Sequence, residues 1–100
     1  MNNTNYIAIV EDGGTVHATG VWFPDLPGCL SAGDTLDEAL ANATEILDEW
    51  AIMMAEDGRQ MPRPRTLTEL KADPDVAAEI AQYMVAVIPL RVEAPRVAAE

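Results

Sequence analysis

The stretch Trp22-Phe23-Pro24-Asp25-Leu26-Pro27-Gly28-Cys29 restricts the fold of this chain more than any other. Pro24 has no N–H to give to a sheet ladder, so the apolar strand before it stops there. Pro27 and Gly28 turn the chain a second time, and Leu30-Ser31-Ala32-Gly33 reads as a brief third strand. A capped helix begins within a few residues. So tight a run of reversals makes a rigid corner that presents a surface.

The helix has a start, a face and a stop. Thr35 with Glu38 three residues later forms a capping box, each side chain satisfying an orphan amide of the first turn. Asp37 and Glu38 suit the positive end of the helix dipole. Leu36, Leu40, Ala43, Leu47, Trp50 and Met54 form one sustained apolar stripe, which Ile46 and Met53 widen. Glu45, Asp48, Glu49 and Glu56 fall on the wet side, and Gly58 supplies the stop. A helix with so broad an apolar face packs on a sheet.

Upstream, Tyr6-Ile7-Ala8-Ile9-Val10 is rich in β-formers and leads into the turn residues Glu11-Asp12-Gly13-Gly14. The returning strand is expected from Val16 to Phe23, with Gly20 marking a bulge or a close backbone approach. Downstream, Pro62 and Pro64 keep residues 59–65 extended, and Thr66 with Glu69 repeats the capping signature for a short helix ending near Lys71. Asp73-Pro74-Asp75 starts a turn or short helical piece through Ile80. Residues 83–92 read as a last strand, where Pro89 requires an edge position or a bulge. The fold class is therefore α+β: a small antiparallel sheet of three to four strands, one long helix on one face, order β-β-β-α-short α-β. Residues 1–93 form one domain, and 94–100 read as a tail or the start of a linker.

Charge narrows the function. The formal net charge is −11, and residues 1–58 hold eleven acids with no Lys or Arg, whereas 59–100 hold six acids and six bases. A negative field repels nucleic acid and attracts basic surfaces, although acidity also serves solubility alone. No apolar run approaches the roughly 20 residues that span a bilayer. The polar start Met1-Asn2-Asn3-Thr4-Asn5 is unlike a signal peptide, and the single Cys29 fits a reducing, cytoplasmic setting.

Catalysis is weakly supported by the residues present. A two-metal nuclease needs carboxylates converging on one phosphate. Glu11, Asp12, Asp25 and Asp34 all fall in turns or caps, where acids serve the backbone. The lone His17 has no nucleophile near it, and Cys29 reads as packing rather than a reactive thiol. No metal or cofactor is expected. Of Trp22 and Phe23, one is expected in the core and the other at a contact surface. Met53, Met54 and Met61 read as packing residues, and Arg59, Arg63 and Arg65 as partners for nearby acids or an oligomer contact.

The hairpin opened by Tyr6, the corner Phe23-Pro24-Asp25-Leu26-Pro27-Gly28-Cys29, the run Gly33-Asp34-Thr35-Leu36-Asp37-Glu38-Ala39-Leu40, and Glu56-Asp57-Gly58 with Met61-Pro62 and Pro64 together resemble the HicB family of antitoxins. The resemblance covers about residues 5–92. It implies a partial ribonuclease H-like fold that neutralises a HicA-type toxin, a small basic ribonuclease with a catalytic histidine. Many members of that family add a carboxy-terminal DNA-binding module. This sequence stops short of one, as a single-domain member or as part of a longer chain.

The resemblance implies an antitoxin of a type II pair, non-enzymatic, that occludes an mRNA-cleaving toxin. The residues expected at that interface are Trp22, Phe23, Asp25, Leu26, Asp34, Glu38, Glu45 and Asp48. A homo-oligomer is expected, without direct nucleic-acid or membrane binding. The alternatives are a standalone degenerate ribonuclease H-like nuclease and a homo-oligomeric interaction module without a toxin.

Overall fold

The structure is a computed structural model and describes residues 4–92. The expected tail, 94–100, lies outside the described residues. Strands β1 (Asn5–Glu11), β2 (Thr19–Trp22), β3 (Leu30–Gly33) and β4 (Met84–Pro89) form one antiparallel sheet in the order β3-β2-β1-β4. Helix α1 (Leu36–Glu56) covers one face, and two short helices, α2 (Leu67–Lys71) and α3 (Pro74–Gln82), follow it in the chain before β4. The α+β expectation holds, with a fourth strand at the edge and a second short helix of nine residues.

The core is the α1 face of the sheet. Tyr6, Ala8 and Val10 alternate inward along β1 and meet Val21, Phe23 and Ile88 beneath Ala39, Ala43 and Leu47 of α1. Alanines at 39, 43 and 51 let the helix lie close to the strands, and each is fully buried. Gly33 marks the closest approach: a Cβ there would fall 2.5 Å from the Ala39 backbone nitrogen. Gly20, by contrast, pairs regularly with Glu11 and Ala32 and has open space where a Cβ would be, so the expected bulge or close approach is absent.

The hairpin loop is longer than its turn residues imply. The Gly13 carbonyl accepts from both Val16 and His17 N–H, so these residues close a loop and β2 begins at Thr19 rather than Val16. Thr19, buried in the strand, accepts from Gly13 N–H through Oγ1 at 3.1 Å.

The helix ends follow local chemistry. Thr35 Oγ1 accepts from Glu38 N–H at 3.1 Å, but Glu38 Oε1 reaches past the cap residue to the Asp34 N–H at 2.8 Å. The expected reciprocal box is thus displaced by one residue at α1 and complete at α2, where Thr66 and Glu69 bond each other's backbone N–H. Gly58, at φ +74°, closes α1: its N–H reaches the Ala55 carbonyl at 3.0 Å, and Arg59 N–H reaches the Met54 carbonyl at 2.8 Å. The proline segment then runs without regular structure, anchored where Tyr6 Oη donates to the Pro62 carbonyl at 2.5 Å.

Candidate partner-binding surface

The corner is locked from within. Leu26 N–H bonds the Phe23 carbonyl and Cys29 N–H bonds the Leu26 carbonyl, two successive turns that swing Phe23, Leu26 and Cys29 into the core. Burial pushes the Cys29 thiol up to about 11, which removes it as a nucleophile in the folded state. Asp25 accepts from Arg65 N–H at 2.7 Å and from Arg65 Nε at 2.6 Å, and its side chain is 7% exposed. Arg65 also holds Asp73 at 3.1 Å, keeping that carboxyl below its usual range.

Phe23 is in the core, the place expected for one of the pair Trp22 and Phe23. Trp22 lies on the sheet face turned away from α1, where its Nε1 donates to Glu79 Oε1 at 3.0 Å and its ring meets Tyr83 edge-on at 5.4 Å. The corner forms a ridge between two shallow grooves. One, of about 230 Å³, lies against Val76 and Glu79 of α3; the other, of about 300 Å³, lies against Trp50 and Met54 of α1.

The eight residues expected at the interface do not form one surface. Phe23 and Leu26 are interior, and Asp25 is occupied by Arg65. Asp48 corrects its wet-side placement: it is buried at the flank of α1 facing the end of β4, and accepts from Arg91 N–H at 3.0 Å, Arg91 Nε at 2.8 Å and Val92 N–H. Trp22 stands across the sheet from the remaining three. Asp34, Glu38 and Glu45 are exposed at and along α1.

Those three belong to a larger feature. Glu38, Asn42, Glu45, Glu49 and Glu56 recur at helical spacing on the outer face of α1, all exposed. Ile52 and Met53 interrupt the acids and are 41% and 42% exposed, so Met53 does not widen the buried stripe as expected. Ion pairs among the described residues join Arg63 to Glu69, Arg65 to Asp25 and Asp73, and Arg91 to Asp48. None reaches the outer acids of α1. Arg63 and Arg65 thus neutralise other acids, as expected, whereas among the described residues no ion pair joins Arg59. Glu45 and Glu49, like-charged at i and i+4, repel by a few tenths of a kcal/mol, about 0.2–0.5. The face is uncompensated charge with an apolar centre.

Asp12 serves its own loop, accepting from Gly14 N–H at 2.9 Å and from Thr19 Oγ1. His17 Nδ1 lies 2.9 Å from the Ala18 carbonyl on the exposed loop. Among the described residues no group of three or more His, Cys, Asp or Glu side chains is placed to hold a metal ion, and no helix is long and apolar enough to cross a membrane.

Comparison with known proteins places this fold. The sequence profile described as the HicB_like antitoxin of bacterial toxin-antitoxin systems matches residues 6–98. The chain is 44% identical over 61 residues to Antitoxin HicB 2 of Photorhabdus laumondii, and 40% identical over 52 residues to a 14.9 kDa protein from the rep-hol intergenic region of Haemophilus phage HP1. These matches span 42% and 39% of those two proteins, so the chain corresponds to well under half of each. The crystal structure of the N-terminal domain of Burkholderia pseudomallei antitoxin HicB superposes with a TM-score of 0.66 at 26% identity, covering 90% of this chain and 99% of that one. With the profile running from β1 past the end of β4 and the fold matching throughout, this chain belongs to the HicB-like antitoxin family of bacterial toxin–antitoxin systems.

Proposed function

We propose that this protein is the antitoxin of a type II pair, which binds and occludes a small basic HicA-type mRNA-cleaving toxin in the cytoplasm through the outer face of α1. The observation that carries this is the row Glu38, Glu45, Glu49 and Glu56, exposed and without an ion-pair partner among the described residues. A toxin that grips RNA presents positive charge, and an acidic face both steers onto it and competes with the RNA for the same surface. Ile52 and Met53 give that contact an apolar centre that a purely electrostatic face lacks. The same field disfavours direct binding of nucleic acid by these residues.

Binding is favoured over catalysis because two of the four candidate carboxylates are already engaged. Asp12 holds its loop and Asp25 holds Arg65. The test is capture from the native host: a small basic protein should co-purify with the tagged chain and cleave mRNA only when separated from it. Absence of such a protein, or cleavage indifferent to the chain, sinks the proposal.

A further inference from the structure

The methionine side chains among the described residues differ in what they meet. Met54 is 7% exposed and Met61 packs against the core. Met53 and Met84 are 42% and 43% exposed. Met84 opens β4, paired with Val10 in the sheet. Met53 lies on α1, with Glu49 one turn before it and Glu56 one turn after. Among the described residues it is therefore the thioether that stands within the outer acidic face.

The thiol of this chain is closed to oxidants. Cys29 has no exposed surface, and burial keeps it in the neutral form, so the thiolate that ordinarily meets a peroxide first is missing. A thioether needs no deprotonation, because its sulfur attacks with a lone pair it already carries. The local field selects the reagent. Uncompensated carboxylates repel anionic oxidants and leave neutral hydrogen peroxide free to approach.

We propose that Met53 is a reversible oxidation site, and that its conversion to the sulfoxide by a hydroperoxide weakens the hold of the α1 face on its basic partner. The inference rests on the assignment of that face to the toxin. In the step itself the Met53 sulfur attacks one oxygen of hydrogen peroxide. The S–O bond forms as the O–O bond breaks, and the second oxygen takes the remaining proton and leaves as water. Sulfur gives up two electrons and the peroxide gains them. The product sets a polar acceptor where Ile52 and Met53 had made an apolar centre, between carboxylates that are acceptors already. Burying that oxygen against an apolar contact costs more than burying the thioether. Methionine sulfoxide is reduced enzymatically, so the change can be undone.

The test treats the chain alone with hydrogen peroxide, destroys the excess with catalase, and locates each added oxygen by peptide mass mapping. Met53 and Met84 should each gain one oxygen while Met54 and Met61 stay reduced. Inhibition of the untreated, co-purified toxin's RNA cleavage should then weaken at least about tenfold (roughly 1.4 kcal/mol), with an unchanged far-UV circular dichroism spectrum. Incubation with methionine sulfoxide reductases should restore it. Met84→Leu should lose inhibition on treatment as wild type does, and Met53→Leu should keep the value it had before treatment. Inhibition that survives complete oxidation of Met53 overturns the inference. So does an equal loss in peroxide-treated Met53→Leu, or a Met53 that stays reduced while Met84 is oxidised. Charge reversal at Glu45 and Glu49 tests the underlying assignment separately. If that reversal weakens inhibition and oxidation of Met53 does not, this inference alone falls; if neither changes it, both fall.

Discussion

At the scale of residues, Asp48 and Cys29 show how burial sets a side chain's role. Asp48 holds the end of β4 by accepting from two backbone N–H groups and one guanidinium N–H. Asp48→Ala strands those amides and should cost about 1–3 kcal/mol in urea denaturation. Arg91→Ala keeps the carboxylate's backbone bonds, and the Arg91 side chain is 56% exposed, so its cost should stay below about 1 kcal/mol. Equal costs for the two variants would contradict this assignment. Cys29 has no exposed surface and a thiol raised to about 11 by burial. Its reaction with a thiol reagent at pH 8 should therefore follow the unfolding rate and not the reagent's own reactivity. Gly33→Ala drives a methyl into the Ala39 backbone and should destabilise by about 1–3 kcal/mol in the same denaturation assay.

At the scale of elements, the features legible in the sequence are those whose partners lie within a turn of chain. Thr66 with Glu69, Asp73 before Pro74, and Gly58 after Asp57 all act at the sequence positions that announce them. What was not legible depends on long-range neighbours: Asp25 with Arg65 across 40 positions, Asp48 with Arg91 across 43, Trp22 with Glu79 across 57. An acid one step off an apolar stripe looks solvated until the element crossing it is known. Helical spacing likewise identifies the stripe but not its width, and Met53 lies outside it, exposed beside Ile52. The α2–α3 segment has a pH dependence of definite sign. Arg63 and the Thr66 backbone hold the Glu69 carboxyl down to about 2, and Arg65 lowers that of Asp73. Depressed carboxylates stabilise fully above their ordinary values, and the stabilisation is lost as pH falls through the lowered ones. Amide protection factors in residues 67–82, taken relative to intrinsic exchange at each pH, should therefore fall below about pH 4, ahead of those in β1 and α1. Glu69→Gln should flatten that acid response, and an unchanged response would refute the attribution.

At the scale of the whole molecule, Arg63, Arg65 and Arg91 pair with acids other than those on the outer face of α1, and Glu38, Glu45, Glu49 and Glu56 are left facing outward. Only the segregation of charge was visible in the sequence. Which acids remain free required the ion pairs, and they removed Asp25 and Asp48 from the outward set. The acidic outer face of α1 is thus the surface we assign to a basic toxin. Salt screens the attraction between that face and a basic surface. The central claim is tested most directly by measuring inhibition of the co-purified toxin's RNA cleavage by the wild-type chain and by a Glu45→Lys, Glu49→Lys double variant. Both positions are exposed, so the variant should fold with an unchanged melting profile. Its inhibition constant should rise by at least about tenfold at low salt, with the difference shrinking as salt is added. A folded double variant that inhibits as strongly as wild type would show that the toxin does not bind the outer face of α1.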